Sequence, residues 1–141
     1  MIMNITPDNQ KANALIKMAE ITIERLNETD LNKYPSNTLT DYYNIIHKLM
    51  EALSLKKGIK IRGEGAHQEL IDYTCKNYGF TEYERGMTQE MKIFRNRISY
   101  EGFMVNKEYI KTNESKIKEI INKILIKLKE IQWFTYLTQS L

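Results

Sequence analysis

Apolar residues recur every three or four positions through five separate stretches of this 141-residue chain. A helical bundle is the simplest fold that buries five such stripes at once. The longest runs through Ile110, Ile117, Ile120, Ile121, Ile124, Leu128, Ile131 and Phe134, about seven helical turns. It is set against Lys116, Lys118, Lys123, Lys127 and Lys129. The most regular stripe is Tyr83, Met87, Met91, Phe94 and Ile98.

The breaks between stripes carry their own chemistry. The first helix is expected to open at Thr6-Pro7-Asp8, with Pro7 in the first turn, where its missing N–H costs nothing. Ala12, Leu15, Ile16, Ala19, Ile23 and Leu26 form its buried face, and residues 27–32 are a polar connection. The second start is Pro35-Ser36-Asn37-Thr38, whose side chains can accept bonds from first-turn N–H groups. Its stripe is Leu39, Tyr42, Tyr43, Ile46, Leu49, Met50 and Leu53, and Gly58 follows as a stop after Lys56 and Lys57. Ile59 and Ile61 with Gly63 and Gly65 read as a short connector. A third helix is expected over residues 66–78, with Leu70, Ile71 and Thr74 on one face and Gly79 as its cap.

Thr81 stands three residues before Glu84, a capping-box spacing, and the fourth helix ends near Gly102. Asn106 caps the last helix, which is laced by acid-first pairs at four residues, Glu114–Lys118 and Glu119–Lys123. The expected fold is an all-α, up-and-down bundle of about five helices, one domain over residues 1–141.

Composition narrows the function classes. A single cysteine, Cys75, excludes an internal disulfide framework and a four-cysteine metal site, and is expected in the core. No stretch approaches the roughly 18 consecutive apolar residues of a membrane span. The first residues are polar (Asn4, Thr6, Asp8, Asn9) and lack a signal-peptide core, so a cytoplasmic address is expected. The net charge of +3 is mild, but Lys56, Lys57, Lys60 and Arg62 fall close together with no acid among them. Such a run suits a phosphate backbone, and equally a solvated loop that offsets a helix dipole. No metal or cofactor ligand set is expected from the spacing of His47, His67 and Cys75.

The residues with most chemistry are Phe94-Arg95-Asn96-Arg97-Ile98-Ser99-Tyr100-Glu101-Gly102. With Phe94 and Ile98 on the buried stripe, Arg95, Asn96, Arg97 and Ser99 fan around the remaining circumference. At roughly 100° per residue, Arg95 and Tyr100 lie about 140° apart. They meet at one site if the helix end turns at Gly102 or if a second subunit contributes. Salt bridges from Arg95 to Glu90 or Glu101 are the alternative for an exposed face.

This stretch resembles the signature of the HEPN superfamily, an Arg followed by a polar residue, several variable positions and a His. Arg95 matches the Arg, Asn96 the polar residue, and Tyr100 stands where the His belongs. The resemblance extends to the helix count, the position late in the fourth helix and the long helix that follows. It implies a homodimer in which the motif helices form a shared cleft. It also implies, in active members, metal-independent RNA cleavage by 2′-hydroxyl attack, with Arg and His at the scissile phosphate. Members often partner a minimal nucleotidyltransferase, as in toxin–antitoxin pairs, which can modify a tyrosine near the motif. Two residues beyond Tyr100 this chain has Gly102, so that modification does not carry over.

On this reading Arg95, Asn96 and Tyr100 line the site, and Arg97, Lys60, Arg62 and His67 bind RNA or a nucleotide. A phenol with a pKa near 10 is ionised in only about one molecule in a thousand at pH 7, so Tyr100 is a poor base. The expected function is therefore an RNA- or nucleotide-binding protein, with an active RNase toxin as the alternative. His67, near a helix start and the basic connector, is a substitute base or a surface side chain. His47 reads as a partly buried or surface histidine. Tyr42, Tyr43, Tyr73, Tyr78 and Tyr83 read as core or interface aromatics rather than base-stacking platforms. A structural helical protein with a chance six-residue match is the third reading.

Overall fold

The computed structural model describes residues 1–140, with all side chains except those of Thr135, Thr138, Gln139 and Ser140. Five helices are present: α1 (Asn9–Asn27), α2 (Pro35–Lys56), α3 (Ala66–Asn77), α4 (Glu82–Glu101) and α5 (Lys107–Ser140). The mostly helical architecture expected from the five stripes is therefore observed. α2 is its centre. It packs against α1, α3, α4 and α5, and buries side chains on nearly all sides, among them Tyr43, Ile45, Ile46, Leu49, Met50 and Leu53. A helix apolar all round belongs in the middle of a bundle, whereas α1 and α5 bury single stripes against it. No described helix is long and apolar enough to cross a membrane.

The connector after α2 differs from expectation. Residues Ile59–Ile61 form a strand, β2, paired antiparallel with β1 (Ile2–Asn4), so that Met3 lies opposite Lys60. The β-branched Ile59 and Ile61 suit a strand, but its partner lies 57 residues away in sequence (Met3 to Lys60), which local periodicity cannot reveal. Gly58 makes the junction. Its φ is +73°, and a Cβ there would sit 2.6 Å from the Ile5 carbonyl oxygen. Only glycine fits this turn without strain.

The same pairing moves the start of α1. Ile5 N–H donates to the Gly58 carbonyl (2.8 Å) and Asp8 N–H to that of Leu55 (3.1 Å), which hold the chain outside the helix at Pro7. Asp8 is the N-cap, accepting from Lys11 N–H at 3.0 Å. At the start of α2, Pro35 is in place but the hydroxyls do not cap. Ser36 Oγ accepts from Val105 N–H (2.9 Å) and Thr38 Oγ1 donates to the Leu31 carbonyl (2.8 Å), tying loops to the helix instead.

The capping box of Thr81 and Glu84 is formed, and Asn106 Oδ1 accepts from Tyr109 N–H at 3.0 Å. Glu84 does more than cap. Its carboxylate is fully buried and accepts from Lys123 Nζ at 2.7 Å, with Lys116 at 3.6 Å. This draws Lys123 away from the expected Glu119, which pairs with Lys116 at 3.2 Å; the Glu114–Lys118 pair forms at 2.8 Å. Two ends of the expected stripes are exposed: Tyr83 at 62% and Phe134 at 67%. Cys75 is buried and free.

Candidate functional site

Two helices each turn a four-residue ladder of side chains toward one place. On α2, Tyr43, His47 and Glu51 are spaced by four and share a face. On α4, Met87, Met91 and Arg95 are spaced the same way, with Met91 fully buried. Arg95 thus continues a buried ladder of α4 rather than an open face. Its charge is felt by Tyr43, His47 and His67 together.

α3 closes the cluster from its first turn. Gly65 is its N-cap in the left-handed region, and His67 is the second helical residue. The His67 ring stacks on His47 with centroids 4.0 Å apart, and its Nδ1 lies 3.0 Å from the Tyr43 hydroxyl. Burial pushes the Tyr43 phenol up to about 12, so it stays protonated and its hydroxyl can donate to Nδ1. In that tautomer the His67 ring proton sits on Nε2.

Both imidazoles are held neutral. Burial, the neighbouring His67 ring, Lys48 and Arg95 push His47 down to about 4. Burial and Arg95 lower His67 as well, with Lys92 adding to the effect and Glu51 opposing it. Arg95 itself is incompletely satisfied. Its Nη1 donates to Asn96 Oδ1 at 3.2 Å, but its Nε is buried with no hydrogen-bond partner among the described residues.

Beside the cluster a cleft of about 420 Å³ opens, lined by His47, Glu51 and His67 together with Lys60 of β2 and Arg62 just after it. Lys60 lies in β2, and Arg62 directly follows it, its N–H donating to the Met1 carbonyl at 3.0 Å. The sheet that sequence periodicity did not show is what brings them here. Among the described residues, no group of three or more His, Cys, Asp or Glu side chains is placed to hold a metal ion.

The expected site residues therefore divide. Lys60, Arg62 and His67 line one cleft, and Arg95 and Asn96 stand beside its histidine pair. Arg97 faces away, pairing with Glu101 at 3.1 Å while its guanidinium lies 4.0 Å over the Phe103 ring. Tyr100 is 82% exposed, without a hydrogen bond or ring contact among the described residues. Gly102 does cap α4 in the left-handed conformation, but the helix runs through Glu101. The turn therefore comes one residue too late to swing Tyr100 toward Arg95 within the chain. Neither Glu90 nor Glu101 pairs with Arg95: Glu90 accepts from the Tyr109 hydroxyl at 3.0 Å.

Sequence reading missed His47, Tyr43 and Glu51 as site residues. The available signal was their four-residue spacing inside an otherwise apolar helix.

No family model, curated protein or solved structure matches this chain.

Proposed function

We propose that the chain is a HEPN-like helical protein that binds RNA or a nucleotide through phosphate in the His47–His67 cleft. The observation that carries this is the Arg95 guanidinium, half-buried against two neutral imidazoles with an unpaired Nε, beside a cleft rimmed by Lys60 and Arg62. A cation held this way, with Lys60 and Arg62 nearby and Glu51 the one carboxylate lining the cleft, leaves positive charge in excess and calls for an anion. A guanidinium fork matches phosphate oxygens, and the two rim cations extend the track a backbone would follow.

The test is fluorescence anisotropy with a labelled single-stranded RNA at several salt concentrations. Arg95→Ala should abolish binding. Lys60→Ala and Arg62→Ala should each weaken it and reduce the log–log salt slope by about 0.7. Salt-independent binding, or binding that survives Arg95→Ala, refutes the reading.

One observation favours RNA cleavage as the second reading. The neutral imidazole pair supplies what Tyr100 lacks, a base that is unprotonated at pH 7. Incubation with RNA in EDTA tests it, with loss of cleavage expected in His67→Asn. As part of the same proposal, the chain is a cytoplasmic homodimer, with exposed Tyr100 near the subunit contact, and a nucleotidyltransferase is its partner in a toxin–antitoxin pair. Light scattering of the purified chain and co-purification with a neighbouring gene product test these two associations.

A further inference from the structure

We propose that the cleft selects a phosphate monoester, whether a free nucleotide or a phosphorylated RNA end, and takes up a proton on the His47–His67 pair as it binds. This rests on the reading of the cleft as a phosphate site and goes further, by naming the kind of phosphate.

The first ground is charge. Three cations act at the site: Lys60 of β2 and Arg62 just after it line the cleft, and Arg95 of α4 acts on both of its imidazoles. Lys48 of α2 and Lys92 of α4 add their fields at the imidazoles, and Glu51 of α2 is the one acid acting on His67. An internal phosphodiester brings one negative charge and two free oxygens. A monoester brings about −1.5 to −2 at pH 7 and three acceptor oxygens. The excess of cations and of N–H donors is better matched by the second.

The second ground is how the histidines are held. Apart from Glu51, every charge acting on the pair disfavours its protonation, and the His67 ring disfavours that of His47. They nevertheless stack at 4.0 Å, with Tyr43 fixing one of them. A dianion seated in the cleft beside the rings reverses that field, because it attracts the imidazolium that the cations repel. Proton uptake then follows by linkage. Binding strengthens as pH falls from 8 toward 6, until the ligand's own second pKa near 6 removes its second charge.

Calorimetric titration of the full chain tests this with AMP, adenosine and one short RNA carrying a phosphate at its 5′ end, at its 3′ end or at neither. Each titration is run at pH 7 in two buffers of different ionisation heat. The expected result is at least tenfold tighter binding of a phosphorylated ligand than of its unphosphorylated counterpart. A buffer-dependent heat should report net proton uptake, and it should be lost in His67→Asn. AMP binding alone assigns the free nucleotide as ligand, and preference for one RNA end assigns that end; either supports the proposal. Lys60→Ala, on the half-buried strand at the cleft rim, should cost affinity for phosphorylated ligands even if His67→Asn folds poorly.

Equal affinity for phosphorylated and hydroxyl-ended RNA overturns the monoester proposal and leaves the RNA-binding reading standing. AMP binding with proton uptake but no RNA binding does the reverse for RNA. Absence of binding by every ligand refutes both.

Discussion

Replacing His47 by Gln should flatten the acid side of the stability profile, by an amount the structure sets. The folded chain holds this imidazole near 4 against an ordinary 6.5, chiefly by burial and then by His67, Lys48 and Arg95. The unfolded chain accepts a proton there more readily than the folded one. The neutral ring's contribution is therefore complete above pH 6.5 and drains away as pH falls from 6.5 toward 4. Between pH 7.5 and 5 the native protein should lose about 2 kcal/mol that His47→Gln does not lose. At a urea slope of about 2 kcal/mol/M, this narrows the gap between midpoints by about 1 M. The comparison is of slopes with pH, so a uniform cost of the substitution does not confuse it. Only two histidines are present, so one substitution also assigns both imidazole signals in a proton NMR titration. Parallel stability curves for the two proteins, or a His47 midpoint near 6.5, would refute the packing that places this ring beside Arg95.

Glu84→Gln keeps an oxygen for the Thr81 N–H but gives up its charge on Lys123, and should cost about 1–2 kcal/mol in a thermal melt; Glu84→Ala also opens the cap and should cost about 3 kcal/mol. Burial raises the Glu84 carboxyl, but the Lys123 and Thr81 hydrogen bonds outweigh it, so its stabilisation is present above the usual carboxylate range and lost as pH falls below it. Gly58→Ala should destabilise by about 2–4 kcal/mol, because left-handed strain adds to displacement of the Ile5 carbonyl; Gly63→Ala, equally left-handed but open, should cost about 1 kcal/mol. Tyr100→Ala should leave urea stability within about 0.5 kcal/mol, since the ring is exposed. If a second copy covers this face, the same variant weakens self-association by light scattering, and an unchanged assembly removes Tyr100 from the contact.

Elements with a local cause were readable in the sequence, and those set by long-range contact were not. The Thr81–Glu84 box and the Asn106 cap depend on residues three apart, and both form as their spacing implies. The Ile2–Asn4 strand depends on a partner across the whole of α1 and α2, and no periodicity over three residues can announce it. Arg95 shows the same limit from another side. Phe94 and Ile98 were enough to define a buried stripe, which assigns Arg95 to the outside. Yet Met91 to Arg95 is also a step of four, and α4 is packed widely enough to bury both lines. The half-buried guanidinium lies where those lines diverge, one toward Phe103 and Tyr109 and the other toward the histidines. Likewise His47 sits one position beyond Ile46 in a helix buried almost all round, so its exposure could not be read from the stripe alone.

That divergence bears on why the cluster exists at all. An orphaned buried N–H costs about 1–3 kcal/mol, and the depressed His47 imidazole adds a stability loss in mild acid. A leucine in place of Arg95 would continue the Met87–Met91 ladder, remove the orphaned N–H and lift the smallest of the four causes that depress His47, at the cost of one cation. Among the described residues the other buried orphans are oxygens of Asn32, Thr40 and Thr74 and the Oε2 of Glu84, and the Glu84 charge is met by two lysines and its own cap. Local disagreement in an otherwise self-consistent fold concentrates where a chain must do something besides fold. Here the conflict is a surplus of positive charge and of donors, gathered from α2, α3, α4 and β2 onto one cleft, and an anion is the ligand that resolves it.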